Sequence, residues 1–255
     1  MKIARLSLNQ GPRFAVVDED TGNYMILADD PMYSGIEPTG QVVAQADANL
    51  VSPMIPRSKV VGIGDNYNTP NNRPDPETVP TVFLKPNTAV VGPNVPITIP
   101  SWAGDVRHEA ELAVIISRIA KDVPVEMADD VIFGYTVAND VTDATTQATD
   151  AQWSRAKGFD TSCPIGPVIV TELDTSDLQI TISVNGEERG RGTTADLARD
   201  VRQLVSQASH MFTLLPGDII LTGSPFAAVE AAVGDDVVCA VEGIGELRNP
   251  VVADS

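Results

Sequence analysis

Aromatic residues are scarce in this sequence of 255 residues, at 5%, whereas glycine and proline each occur 19 times. Such a composition disfavours a helical bundle and favours short strands joined by many turns. The hydrophobic fraction of 43% is that of a folded globular protein. We therefore expect a packed, β-rich chain.

Cysteine, basic residues and long apolar runs are also in short supply. Cys163 and Cys239 are too few for a disulfide framework, and we expect both to be buried. With 17 basic against 35 acidic residues, the net charge of −18 disfavours nucleic acid and anionic membranes as partners. No apolar run reaches the roughly 20 residues of a transmembrane helix, and the N-terminus lacks a signal-peptide pattern. We predict a cytoplasmic protein.

What the sequence does have is a pair of glutamates at the head of an apolar, β-branched stretch, residues 105–117. In a strand, Glu109 and Glu111 share one face, while His108 takes the other. Two buried anions side by side need a cation or a shared proton. Asp140 ends the next apolar run, and three carboxylates without a nearby cysteine favour Mg²⁺, Mn²⁺ or Ca²⁺ over zinc.

Two other interpretations of the carboxylate pair stay open. Acidic residues on a strand are often only a solvated face. A pair of carboxylates also serves glycosidases without a metal, although no aromatic-rich sugar cleft is apparent in this chain.

The glutamate pair begins a series of motifs that occur in a fixed order along the chain. They are Glu-Ala-Glu-Leu-Ala-Val-Ile-Ile (109–116), Gly-Tyr-Thr-Val-Ala-Asn-Asp-Val (134–141), Trp-Ser-Arg-Ala-Lys-Gly-Phe-Asp (153–160), Pro-Ile-Gly-Pro (164–167), Val-Asn-Gly-Glu (184–187), Leu-Pro-Gly-Asp-Ile-Ile-Leu-Thr-Gly-Ser-Pro (215–225) and Glu-Gly-Ile-Gly-Glu-Leu (242–247). This order resembles the fumarylacetoacetate hydrolase family over residues 56–252. The resemblance implies an α+β, β-rich fold with a mixed, rolled β-sheet in a catalytic domain of residues 56–255. Residues 1–55, with short strand patterns of their own, are expected to form a small N-terminal β module.

The resemblance also implies a site. Its metal ligands would be Glu109, Glu111 and Asp140, and its metal Mg²⁺ or Mn²⁺, with Ca²⁺ as an alternative. The implied catalytic residue is Lys157, beside the substrate carbonyl, and the implied substrate contacts are Lys85, Gln147 and Ser224. A role of Lys85 as a partner for the carboxylates is the alternative. Family members are commonly homodimers, so a homodimer is expected.

The chain departs from the family where the family activates water. Pro70 replaces a histidine of the loop, and Ala144 replaces an arginine that follows the aspartate ligand. Neither His108 nor His210 is expected to substitute, because both fit structural positions. Asp75 or Glu77 in the same loop is a hypothetical replacement base.

These departures bear on the reaction. We expect a divalent-metal-dependent enzyme acting on a small 2-oxo acid, such as oxaloacetate or an acylpyruvate, by decarboxylation or C–C hydrolysis through a metal-stabilised enolate. The alternatives are a 2-hydroxy-dienoate isomerase of the same family and a catalytically degenerate protein that binds metal and a carboxylate.

Several local structures are also predicted. The Asn-Gly pair at 185–186 indicates a hairpin, and the Pro- and Asn-rich residues 64–80 indicate a loop that covers a site. Helices are expected at residues 123–132, at 147–156 and, with Thr194 as the cap, at 195–212. Trp153 is expected in the core rather than in the site.

Overall fold

The computed structural model of the protein describes residues 1–70 and 72–254, and strands outweigh helices by 43% to 16%. The strands are β1 (Lys2–Leu8), β2 (Gly11–Val17), β3 (Tyr24–Leu27), β4 (Pro38–Val43), β5 (Lys59–Gly64), β6 (Thr81–Pro86), β7 (Val90–Val91), β8 (Ile97–Ile99), β9 (Val106–His108), β10 (Ala110–Ile116), β11 (Ile132–Asn139), β12 (Thr142–Asp143), β13 (Cys163–Val170), β14 (Gln179–Val184), β15 (Glu187–Thr193), β16 (Ile219–Leu221), β17 (Val229–Glu230), β18 (Asp236–Val241) and β19 (Gly245–Ala253). The α-helices are α1 (Pro31–Ser34), α2 (Ala144–Thr149), α3 (Ser154–Lys157) and α4 (Val201–Met211), and 3-10 turns occupy Gln45–Asp47, Asn87–Ala89, Val125–Val131 and Thr194–Asp196. The β-rich α+β expectation is confirmed.

One large mixed sheet runs through the molecule in the order β4-β3-β2-β1-β13-β11-β10-β16-β5-β6, with β7 alongside β13. Most neighbours are antiparallel, but β5 and β16 are parallel, as are β7 and β13. The N-terminal strands continue this sheet, because β1 pairs with β13 at Lys2 and Ile3. A domain boundary near residue 55 stays a prediction.

A second sheet, in the order β15-β14-β18-β19-β8, packs against the first. The strand β10 is buried on both faces: Leu112 and Val114 pack in the cluster that contains Ile182 of the second sheet, and Ala113 and Ile115 pack in another cluster on the opposite face. Burial on both sides explains why β10 is apolar throughout apart from its glutamate. The predicted hairpin is confirmed by the pairing of β14 with β15 across Asn185 and Gly186.

The helix predictions need correction. Helix α4 begins at Val201, where Asp200 forms a capping box with Gln203, and not at residue 195. The preceding residues form a 3-10 turn at Thr194–Asp196. The helix does not start there because Ala198 and Arg199 donate their amides to Asn66 in the loop after β5. Residues 125–131 form a 3-10 turn, and the segment 147–156 is divided between α2 and α3. No helix among the described residues is long and apolar enough to cross a bilayer.

Candidate metal and substrate site

A cavity of about 650 Å³ lies where β10 begins and β11 ends. The two strands are antiparallel neighbours, with Ala110 opposite Asn139. Glu109, just before β10, and Asp140, just after β11, therefore meet, and the amide of Asp140 donates to the carbonyl of Glu109 at 2.9 Å. Backbone pairing thus brings together carboxylates that are far apart in sequence.

Glu111 completes a cluster of three carboxylates. One carboxylate oxygen of each of Glu109, Glu111 and Asp140 lies within 4.8 Å of the others. Glu111 and Asp140 are buried, while the side chain of Glu109 is 25% exposed to the cavity. The amide of Gly223 donates to Glu111 Oε2 at 2.6 Å, which fixes that carboxylate. The alternation expected for this strand therefore places both glutamates on the cavity side.

Two lysines lie against the carboxylates. Lys157 Nζ contacts Asp140 and lies 3.2 Å from Glu109 Oε2, with the ring of Phe83 centred 4.5 Å away. Lys85 Nζ lies 2.8 Å from the other oxygen of Asp140. The cluster thus contains three carboxylates and two ammonium groups, which leaves one negative charge uncompensated.

Burial and mutual repulsion raise the pKa values of the two glutamates, as the excess of negative charge predicts. The pKa of Glu111 is well above its ordinary value because of burial and then the charges of Asp140 and Glu109. Burial likewise raises the pKa of Glu109, against the attraction of Lys157. Burial also acts to raise the pKa of Asp140, but the neighbouring Lys157 and Lys85 prevail and lower it. Burial opposes the charge of Lys157, yet its carboxylate neighbours raise the pKa of that ammonium.

The cluster fits a divalent metal ion. Three converging carboxylates that keep an excess negative charge in a buried place are stabilised by a cation. The donor set contains only oxygen, which suits Mg²⁺ or Mn²⁺ rather than zinc. Glu109, Glu111 and Asp140 are the residues that could hold such an ion.

The loop after β5 forms one wall of the cavity, with Asp65, Asn66, Tyr67, Thr69, Pro70 and Asn72. It is anchored at Asn66, whose side chain donates to the carbonyls of Arg199 and Thr222. Arg199 is buried and donates to the carbonyls of Asp75 and Thr78 farther along the loop. Both ends of the loop are thus tied to the body of the protein.

None of the cavity-lining residues that the structure describes is a histidine. Pro70 occupies the wall where the resemblance implied one. His108 is buried on the opposite face, with Nδ1 3.2 Å from the side-chain nitrogen of Asn139, and burial lowers the pKa of its imidazole to about 4. His210 lies on α4 and contacts the carbonyl of Ser206. Asp75 and Glu77 are exposed and do not line the cavity.

The predicted substrate contacts divide into two groups. Gln147 and Ser224 line the cavity, and the Ser224 hydroxyl has no hydrogen-bond partner among the described residues. Lys85 does not line it: this lysine is fully buried behind Asp140 and donates to the carbonyls of Val141 and Ser162.

Sequence reasoning missed other residues of the cavity. Trp153 belongs to its wall and packs at 5.9 Å against Phe83, another wall residue, so the core expectation for Trp153 was wrong. Arg107 also lines the cavity. Its signal was available, because it precedes Glu109 by two residues and so shares the strand face of the two glutamates.

Comparison with known proteins is consistent with this geometry. Residues 59–252 match the family model for the C-terminal domain of fumarylacetoacetate (FAA) hydrolase, and residues 1–53 match a model described as Rv2993c-like, N-terminal. Protein Rv2993c of Mycobacterium tuberculosis is 42% identical, with 99% of this chain and 98% of the relative covered. Oxaloacetate tautomerase YcgM of Escherichia coli is 38% identical, with 74% of this chain and 90% of the relative covered.

Solved structures extend the comparison. A 5-carboxymethyl-2-hydroxymuconate delta-isomerase from Mycobacterium smegmatis is 44% identical with a TM-score of 0.93, and both chains are covered completely. A maleylpyruvate hydrolase from Sphingobium sp. SYK-6, in complex with manganese(II) and pyruvate, is 28% identical with a TM-score of 0.81, again with both chains covered completely. The relatives with named activities are thus enzymes that isomerise, tautomerise or hydrolyse small molecules.

Proposed function

This chain belongs to the fumarylacetoacetate hydrolase family, and from that premise we propose that it is a divalent-metal-dependent enzyme that moves a proton between carbon and oxygen of a small 2-oxo acid. The reaction is a keto–enol tautomerisation or the related isomerisation of a 2-hydroxy-dienoate. Decarboxylation and hydrolysis, which the sequence alone placed first, become the competing reactions.

The observation that carries this proposal is a carboxylate cluster with Lys157 in a cavity whose described lining residues include no histidine. Hydrolysis requires a base that activates water, and the described wall offers none beyond the carboxylates themselves. A proton transfer within the substrate requires no such water. The tautomerase and the isomerase among the relatives support the same choice.

A bound Mg²⁺ or Mn²⁺ would supply positive charge beside the substrate oxygens and so stabilise an enolate. The carboxylates of Glu109, Glu111 and Asp140 would hold it. The manganese and pyruvate in the hydrolase from Sphingobium support this assignment.

The remaining residues bind and orient the substrate. The ammonium of Lys157 has three N–H donors, of which two are directed at Asp140 and Glu109, so one remains for a substrate oxygen. The hydroxyl of Ser224, which has no partner among the described residues, and the amide of Gln147 are donors for the substrate carboxylate. Lys85 positions Asp140 from behind.

The proposed step is balanced in atoms and electrons. A proton leaves C3 of the 2-oxo acid, the C–H bonding pair becomes the C2–C3 double bond, and the carbonyl pair moves to the oxygen. As Lys157 gives a proton to that oxygen, its nitrogen accepts the proton that leaves C3, so the lysine ends the step as the same ammonium ion. No water, oxidant or reductant is consumed.

The test is to strip the protein with EDTA, reload it with Mg²⁺ or Mn²⁺, and follow the ketonisation of enol-oxaloacetate by its ultraviolet absorbance. Pyruvate release and acetylpyruvate cleavage are measured in parallel. We expect metal-dependent ketonisation that is lost in Asp140→Asn and retained in Asp130→Asn, a matched change at an exposed position.

Metal-dependent pyruvate release without faster ketonisation would replace the proposal by a decarboxylase, and acetylpyruvate cleavage would replace it by a hydrolase. Metal binding without any turnover on a panel of 2-oxo acids would support the degenerate homologue. A homodimeric assembly and a cytoplasmic location stay predictions from the sequence.

A further inference from the structure

We propose that Arg107 binds a second carboxylate of the substrate, so that the site selects 2-oxo dicarboxylic acids over 2-oxo monocarboxylic acids of equal chain length. This inference rests on the proposed function, because it takes the carboxylate cluster as the place where the 2-oxo end of the substrate binds. It adds a residue that determines specificity at the other end.

The backbone places a cation and two candidate metal ligands in one row. Arg107, Glu109 and Glu111 alternate along the chain and all line the cavity, whereas His108 and Ala110 between them are buried on the other side. Two residues of extended chain span about 7 Å. The base of the Arg107 side chain is therefore about one small-molecule length from the metal cluster.

Arg107 is the cation of the described cavity wall that lies outside the carboxylate cluster. Among the described residues that line the cavity, the positively charged ones are Arg107 and Lys157. Lys157 is directed at Asp140 and Glu109 within the cluster. A substrate carboxylate far from the metal can therefore find an opposite charge at Arg107.

The two ion pairs of Arg107 orient its guanidinium but do not use all of its N–H donors. Its two terminal nitrogens lie 2.6 Å from Asp105 and 2.7 Å from Glu230. These carboxylate side chains are 44% and 73% exposed, and ion pairs so open to solvent are weak and exchange readily. A guanidinium has five N–H donors, so a third carboxylate can join or replace these partners.

The neighbouring wall leaves room for such a ligand. Thr142 lies opposite Arg107 in the pairing of β9 with β12, and Ala144 lies two residues farther along the chain. Both line the cavity, and both side chains are small. A long side chain at position 144 would take up the space in which the second carboxylate is expected.

The experiment measures binding rather than turnover. The Mn²⁺-loaded protein is titrated calorimetrically with 2-oxoglutarate and 2-oxovalerate, which have five carbons each and differ in the terminal carboxylate. We expect the wild type to prefer 2-oxoglutarate at least about tenfold, as for a charge-assisted hydrogen-bonded pair. Arg107→Leu should remove this preference by weakening 2-oxoglutarate alone, and Arg107→Lys should retain part of it.

Arg202→Leu is the matched control, because it removes the same charge from an exposed pair with Asp129 outside the cavity. This inference would be overturned if the wild type did not prefer 2-oxoglutarate, or if Arg107→Leu kept that preference. Metal-dependent binding of 2-oxovalerate would still support the site for the 2-oxo acid. Binding of neither ligand, or equal binding after EDTA, would refute both. Equal weakening of the two ligands in Arg107→Leu would make Arg107 a structural residue.

Discussion

Replacing Glu111 by glutamine should stabilise the metal-free protein while it removes stabilisation by metal. Glu111 is buried, and its carboxylate lies within 4.8 Å of those of Glu109 and Asp140. At that separation and an effective dielectric constant near 20, each repulsion costs about 3 kcal/mol. Two repulsions act on Glu111, and the attraction of Lys157 offsets about one of them.

The expected gain for Glu111→Gln in EDTA is therefore about 1–3 kcal/mol in the free energy of unfolding, after allowance for solvent screening. The amide oxygen of glutamine can still accept from Gly223, so the hydrogen bond at 2.6 Å survives the change. With Mg²⁺ at about 100 times its dissociation constant, the wild type should gain about 2.7 kcal/mol. The variant should gain little, so that Mg²⁺ cancels or reverses most of its advantage over the wild type.

The pH dependence of the metal-free protein gives the same test a second readout. The folded protein holds a proton on Glu111 at pH values where the unfolded chain, with an ordinary pKa of 4.5, has already lost it. The free energy of unfolding should therefore fall as the pH rises above that ordinary value towards the raised pKa. Glu111→Gln should flatten this slope.

Urea denaturation in EDTA and in Mg²⁺ measures both effects, and Glu246→Gln, a change at an exposed position, is the control. If Glu111→Gln were about 1 kcal/mol or more less stable than the wild type in EDTA, the argument from electrostatic repulsion would be refuted. The carboxylate would then be a structural hydrogen-bond acceptor.

Three further substitutions test the supports of the site. Lys85→Met should lower the free energy of unfolding by about 3–5 kcal/mol, because it breaks the buried ion pair with Asp140. Urea denaturation measures the loss, with Lys121→Met at an exposed position as the control. A loss below about 1 kcal/mol would contradict the prediction. Gly223→Ala should lower the free energy of unfolding by about 1–3 kcal/mol, because the φ of +92° at this position is strained for any other residue. Calorimetry should also show weaker Mn²⁺ binding. An unchanged Mn²⁺ affinity would mean that Gly223 does not support the carboxylate cluster. Asp200→Ala should cost about 1 kcal/mol through the lost cap of α4, with a lower melting temperature and unchanged Mn²⁺ affinity.

Local sequence signals predicted the parts of the molecule that depend on neighbouring residues. The alternation around Glu109 and Glu111 correctly separated the cavity side from the side of His108. The Asn185-Gly186 turn specified its hairpin by backbone conformation, since both residues have positive φ. Such features need no information from distant parts of the chain.

What the sequence failed to predict depends on contacts between distant segments. Residues 195–199 have the periodicity of a helix, but they form only a 3-10 turn that ends at Asp196. Asn66 then binds the backbone of Arg199 and keeps this stretch from continuing into α4. Lys85 resembles a substrate-binding lysine by position, yet the carbonyls of Val141 and Ser162 enclose it. Alternation could have placed Arg107 on the face of the two glutamates, but the cavity that this face lines is built from many segments and is not visible in the sequence.

The pairing of β1 with β13 also bears on the behaviour of the chain away from the carboxylate cluster. Without residues 1–53, part of β13 would present free backbone donors and acceptors to solvent along a strand that is mostly apolar. An open edge of this kind templates association with other chains. The N-terminal strands carry the sheet onward to β4, a strand of exposed residues that contains proline and glycine. We therefore expect the segment to protect the protein against aggregation, and a chain without residues 1–53 to precipitate more readily than the full chain even where its cavity is intact.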